Sequence, residues 1–175
     1  MATTLIVQLT GYDDIAQACI RGEAIHKPCM RCAKCMRKEM LRDTIVYGSV
    51  REEILNHFMN QAIGKTVMTN DTVYLQNVMM YIASHYKGNN PYMQLFKKRM
   101  GVDRINVDWF EKWYPPSIEI VASPYREYVK QQIEKYVGVM TKQEQILLEN
   151  WNVESFISRE EYDRITKELM ALFNK

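Results

Sequence analysis

The chain has 175 residues, 47% of them hydrophobic and 25% charged, with a formal net charge of +2. That hydrophobic share suits a chain with a real core, and the near-balanced charge announces no nucleic-acid binding on a global scale. No apolar run approaches the roughly 20 residues of a membrane span, and Met-Ala-Thr-Thr-Leu at the start lacks the basic region of a secretory signal, so a cytoplasmic location is expected.

In chain order, Thr4 to Leu9 reads as one short β-strand, apolar at Leu5, Ile6, Val7 and Leu9. A lone strand with two apolar faces needs a sheet, and only Ser117 to Val121 could otherwise pair with it. A sheet edge in a partner or a second copy is therefore expected to receive residues 4–9. Thr10 or Asp13 opens a short helix through Ile20, which Gly22 ends.

All four cysteines follow, at Cys19, Cys29, Cys32 and Cys35, spaced C-x9-C-x2-C-x2-C. Four thiols inside 17 residues point to one tetrathiolate metal site, and zinc suits it, with Zn–S bonds of about 2.3 Å. Cys32 and Cys35 share a helix face, Cys29 sits in the loop after Pro28, and Cys19 returns from the preceding helix. A 4Fe-4S cluster is the rival: Cys29, Cys32 and Cys35 match a ferredoxin run, but Glu39 stands where the fourth cysteine belongs. Disulfides fit a cytoplasmic chain poorly. Inert buried thiols would be scattered rather than clustered. His26, three residues before Cys29, is a substitute ligand for Cys19.

Seven Arg or Lys against three acids lie between Cys19 and Asp43, a local +4. Cations partly neutralise a zinc tetrathiolate, which is the bland account. On the functional account Arg31, Lys34, Arg37 and Lys38 contact phosphate on a nucleotide or nucleic acid.

Further helices are expected at Ala33–Val46, with Met36, Met40, Leu41 and Ile45 inward and Gly48 as the stop. Ser49 to Glu52 reads as a capping box opening a helix to Ile63, with Gly64 as its end. Others follow from Asn70 or Asp71 to Tyr86, from Tyr92 to Met100, and from Val107 to Tyr114 behind an Asn106 cap. Pro115-Pro116 must stop the last. Ser123-Pro124 starts a helix to Val137 that Gly138 ends, and boxes at Thr141–Glu144 and Ser158–Glu161 open Lys142–Trp151 and Arg159–Phe173. The sum is a mainly α, multi-helix protein with a short N-terminal strand and a four-cysteine zinc-binding loop-helix. Residues 1–115 are read as the zinc-bearing domain and 116–175 as a helical segment packed on it.

His57 and His85 read as surface or satisfied core, the acidic pairs Asp13-Asp14 and Glu52-Glu53 as helix-start charges, and Lys97-Lys-Arg99 as a solvated helix face. Trp109, Trp113 and Tyr114 read as core or interface. No catalytic triad order, Walker loop or dinucleotide fingerprint appears.

The wording Lys-Pro-Cys29-x-x-Cys32-x-Lys-Cys35-x-Arg-Lys, with Cys19 before it, resembles the zinc motif near the C-terminus of 7-cyano-7-deazaguanine synthase and its relatives, ATP-pyrophosphatases of the PP-loop superfamily. The resemblance covers about residues 10–42, with an echo in Trp109 to Ile120. It implies that the four cysteines bind zinc. The family's Ser-Gly-Gly-x-Asp-Ser ATP loop has no counterpart, since this chain contains no Gly-Gly. The resemblance therefore implies a C-terminal subunit or fragment, acting with a separate ATP-binding chain and without ATP hydrolysis of its own. The other expectation is a stand-alone helical adaptor or nucleic-acid-binding protein with a zinc knuckle. A homo-oligomer is compatible with either.

Overall fold

The computed structural model describes residues 9–11, 19, 21–22, 24, 27–70, 77–152 and 155–175. The protein is mainly helical, with α1 Ala33–Tyr47, α2 Glu52–Met59, α3 Ala62–Thr69, α4 Asn77–His85, α5 Pro91–Met100, α6 Arg126–Glu134, α7 Lys142–Glu149 and α8 Arg159–Phe173. No helix among the described residues is long and apolar enough to cross a membrane. The strand expected at residues 4–9 and the helix expected before Gly22 fall largely outside the described residues. The chain forms two compact units: Gln17–Val107 with Asn152–Lys175, and Met1–Ala16 with Asp108–Trp151. The expected boundary at 115 lies close to where the chain leaves the larger unit, and the last 24 residues belong to that unit again.

In the larger unit α5 lies along α8, α1 against α4, and α3 against both α2 and α8. Met36, Met40, Met68, Met79, Met93 and Met100 are wholly excluded from solvent, with Leu55, Phe58, Ile82, Phe96 and Leu169. Unbranched thioethers fill the irregular gaps between short helices that cross at varied angles. α1 runs as its apolar spacing predicts, with Met36, Met40 and Leu41 buried, and Gly48 ends it at φ 70°. The Asp43 carboxylate, buried on α1, accepts from the Arg51 backbone N–H and twice from its guanidinium, at 3.0 Å each. It caps α2 in place of the expected Ser49–Glu52 box: Ser49 Oγ instead accepts from the Lys87 N–H.

Gly64 does not end that helix. The chain breaks at Asn60-Gln61, and Gly64 lies inside α3, where a Cβ would stand 2.4 Å from the Phe58 carbonyl oxygen. The glycine is there for the close approach of α3 to the end of α2, not for a stop.

Arg99 also departs from the sequence reading. It is fully buried. Its guanidinium donates to Met68 O at 2.9 Å, Asn70 O at 2.8 Å, Thr166 Oγ1 at 2.7 Å and the Tyr162 hydroxyl. The two carbonyls are among those that the end of α3 leaves without helical partners, at the negative pole of its dipole, so a cation from α5 suits them.

In the smaller unit, Trp113 N donates to Gly138 O at 2.7 Å and Met140 N to Trp113 O at 3.0 Å. Trp109 and Trp113 are buried, as core residues should be, and Trp151 meets Trp109 edge-on at 5.4 Å between ring centroids. The helix expected over Val107–Tyr114 is only a 3-10 turn at Asp108–Glu111, and the strand expected at Ser117–Val121 is a 3-10 segment, Pro115–Ile120. Pro115 and Pro116 fix the first two φ angles of that segment near helical values, and the chain continues the 3-10 path through Ile120. The Thr141 box forms fully at the start of α7. At α8 only half of the box forms: Ser158 accepts from Glu161 N, while the Glu161 carboxylate turns to Arg104 at 2.9 Å. α6 buries none of its residues.

Candidate metal centre

The four cysteines belong to the larger unit, and none of them is joined in a disulfide. Cys32 is the N-cap of α1 in extended conformation, and Cys35 lies in the first helical turn, buried. The helix start turns the Lys34 and Cys35 N–H groups toward the Cys32 sulfur, which favours its thiolate. A tight turn, with Lys27 N donating to Ala24 O at 3.1 Å, precedes Cys29. Cys29 N then donates to Cys19 Sγ at 3.4 Å, which draws the distant fourth thiol into the group.

All four sulfurs lie within 4.8 Å of one another. Cys29 and Cys35 are 3.8 Å apart, and Cys32 and Cys35 3.5 Å. Four sulfurs about 2.3 Å from one tetrahedral ion stand about 3.8 Å from each other. The donor set therefore fits a single thiophilic metal ion.

The thiols differ in acidity. The Cys29 N–H holds Cys19 down to about 6. At Cys32 burial pushes up, but N–H and S–H bonds from Cys35 outweigh it, and the net direction is down. Burial raises Cys35 to about 12, helped by the bond from Cys19. A metal ion would replace the shared protons of this group with one charge that suits all four sulfurs.

Of the basic residues read from the sequence, Arg31 and Lys34 are exposed beside the thiols. Arg37 is half-buried and its Nε folds back on Ala33 O at 3.2 Å, and Lys38 is half-buried too. His26 lies outside the described residues. His85 is turned to its own helix, with Nδ1 2.9 Å from Tyr81 O.

The sequence reading missed His57 and Gln61. His57 Nε2 lies 3.1 Å from the carbonyl oxygen of Met30, inside the Cys29–Cys32 turn, and Gln61 Nε2 donates to the same oxygen at 3.2 Å. Their i, i+4 spacing was the one signal, and it named no target. Met30 itself has φ 52° and is the one non-glycine at positive φ among the described residues.

No curated protein and no solved structure matches the chain. A family model does match, over residues 1–152, a span that holds all four cysteines and stops short of α8. The chain belongs to that family, DUF6395, described as a family of unknown function.

Proposed function

We propose that Cys19, Cys29, Cys32 and Cys35 hold one zinc ion, and that the chain works as a zinc-bearing helical subunit of a larger assembly. The observation that supports this most is the sulfur spacing, with all four inside 4.8 Å. A 4Fe-4S cubane seats each thiolate on its own iron, so its ligand sulfurs stand further apart than those around one ion. Four thiolates complete a tetrahedron and leave no open position, so the zinc is structural rather than Lewis-acidic. The resemblance of the cysteine motif to the 7-cyano-7-deazaguanine synthase relatives points to the partner: a separate PP-loop chain that binds ATP and adenylates the substrate.

The exposed Arg31 and Lys34 beside the thiols favour a second reading, an adaptor that meets nucleic acid phosphate. Purification from the native source separates the two. Elemental analysis should find one zinc per chain without visible absorption, and an ATP-binding chain should co-purify. Nucleic acid retained at low salt and shed steeply as salt rises would favour the adaptor. A brown protein would overturn the zinc assignment.

A further inference from the structure

Between Cys29 and Cys32 the chain must reverse within two residues, so that both sulfurs face one point. Met30 makes the reversal in the left-handed region, at φ 52°. A side chain with a Cβ crowds the neighbouring carbonyl oxygen in that region, so residues other than glycine visit it only when held there. Left alone, Met30 would relax to a commoner conformation and the two thiols would lose their common aim.

Both peptide groups of Met30 are held. Its N–H bonds the Cys35 sulfur. Its carbonyl oxygen faces two donors 27 and 31 residues further on, His57 Nε2 at 3.1 Å and Gln61 Nε2 at 3.2 Å. The Gln61 amide also donates to His57 O at 2.9 Å. His57 Nε2 and the Gln61 amide nitrogen also lie 2.9 Å apart: the imidazole protonated on Nε2 donates to the Met30 oxygen, and the other tautomer accepts from Gln61, which itself donates to that oxygen. The corner carrying the two donors is firm. Phe58 and Met59 beside His57 are buried, Gln61 N donates to Phe58 O at 3.1 Å, and Gly64 N to Gln61 O at 3.0 Å.

We infer that His57 and Gln61 are positioning residues of the metal centre, holding the Met30 carbonyl so that the Cys29–Cys32 turn keeps the shape that metal binding needs. The inference rests on the metal-binding reading above. The two residues act through Met30, outside the ligand set, as outer partners do in other metal sites.

The test is chelator competition on the full zinc-loaded chain. His57→Ala should lose about 10-fold in zinc affinity and His57→Ala with Gln61→Ala about 10- to 100-fold, the range for lost outer-shell partners. His57→Gln, which still presents an N–H, should hold zinc within a few-fold of wild type. Adding Met30→Gly to the double variant should recover most of the loss, because glycine adopts positive φ freely. A purely structural role for His57 predicts no such recovery. A double variant that binds zinc as tightly as wild type overturns the inference alone. A wild-type chain that binds no zinc overturns the metal reading and the inference together. If the double variant fails to fold, the comparison of Met30→Gly/His57→Ala with His57→Ala decides: equal affinities overturn the inference.

Discussion

At the scale of single residues, the four thiols are chemically unequal although they converge on one point. Cys19 is held near 6 by the Cys29 N–H, and Cys35 is pushed to about 12 by burial. In the metal-free chain at pH 7, Cys19 is above its own midpoint and largely thiolate, while Cys35 is far below its midpoint and a thiol. Brief alkylation at pH 7 should therefore label Cys19 first and Cys35 last, as read by peptide mass spectrometry. Zinc loading should protect all four. Equal labelling of Cys19 and Cys35 would contradict the geometry around the Cys29 amide. The spacing of these residues made the cluster legible in the sequence. His57 was not legible as their neighbour, because nothing in a linear pattern links a histidine to a carbonyl 27 residues earlier.

At the scale of elements, three helices are joined by one side chain. Arg99 on α5 reaches carbonyls at the end of α3 and hydroxyls of Tyr162 and Thr166 on α8. Arg99→Met keeps the bulk but leaves buried acceptors without this donor. We expect a loss of about 3 kcal/mol in denaturant unfolding, well above the usual cost of a surface arginine. The sequence showed Lys-Lys-Arg and suggested a solvated face, since three cations in a row say nothing about which one turns inward. Arg104–Glu161 ties α8 to the 3-10 turn Val102–Arg104 that follows α5. The Arg104 guanidinium holds the Glu161 carboxyl below its ordinary 4.5. A depressed folded value means that the pair stabilises above the ordinary carboxylate range and ceases to do so as pH falls through the folded value. The Tm difference between wild type and Glu161→Gln should thus be steady from about pH 6 upward and shrink below about pH 4.5. A difference that grows on acidification would contradict the sign. Helix starts such as Thr141 and Ser158 were legible because a cap is a local event. The segments around Trp109 and Pro115 were misread, because two prolines and a 3-10 turn override an apolar pattern that fits helix or strand equally.

At the scale of the whole molecule, order is spread unevenly. The larger unit has a continuous apolar interior. Within Asp108–Trp151 the buried side chains are Trp109, Trp113, Val137, Met140 and Gln145, and α6 contributes none. Opening free energies follow buried contacts. Amide exchange should be slowest in α5 and α8 and fast along α6. Chelation, or Cys32→Ser, should speed exchange around residues 29–40 and leave α6 as it was, because metal binding is folding free energy only where the ligands lie. Slower exchange in α6 than in α5 would contradict this ordering. The mainly helical class was legible from composition and periodicity, since those report local preference and burial. The discontinuous division of the chain, with α8 in the same unit as α1–α5, was not, because sequence order does not encode which distant segment returns to a core.

The methionine-rich interior has one more consequence, which concerns oxidants rather than stability. Met36, Met40, Met68, Met79, Met93 and Met100 are sealed from solvent, while Met170 on α8 is 42% exposed. A peroxide meeting the folded protein finds Met170 at the surface and reaches the sealed thioethers only through openings of the larger unit. Each sulfoxide formed inside puts a polar group where the helices meet, so the interior cannot close as before. The damage therefore records every opening and makes the next one easier. A core packed this way keeps a chemical memory of its own fluctuations, and methionine sulfoxide reduction is the chemistry that would erase it.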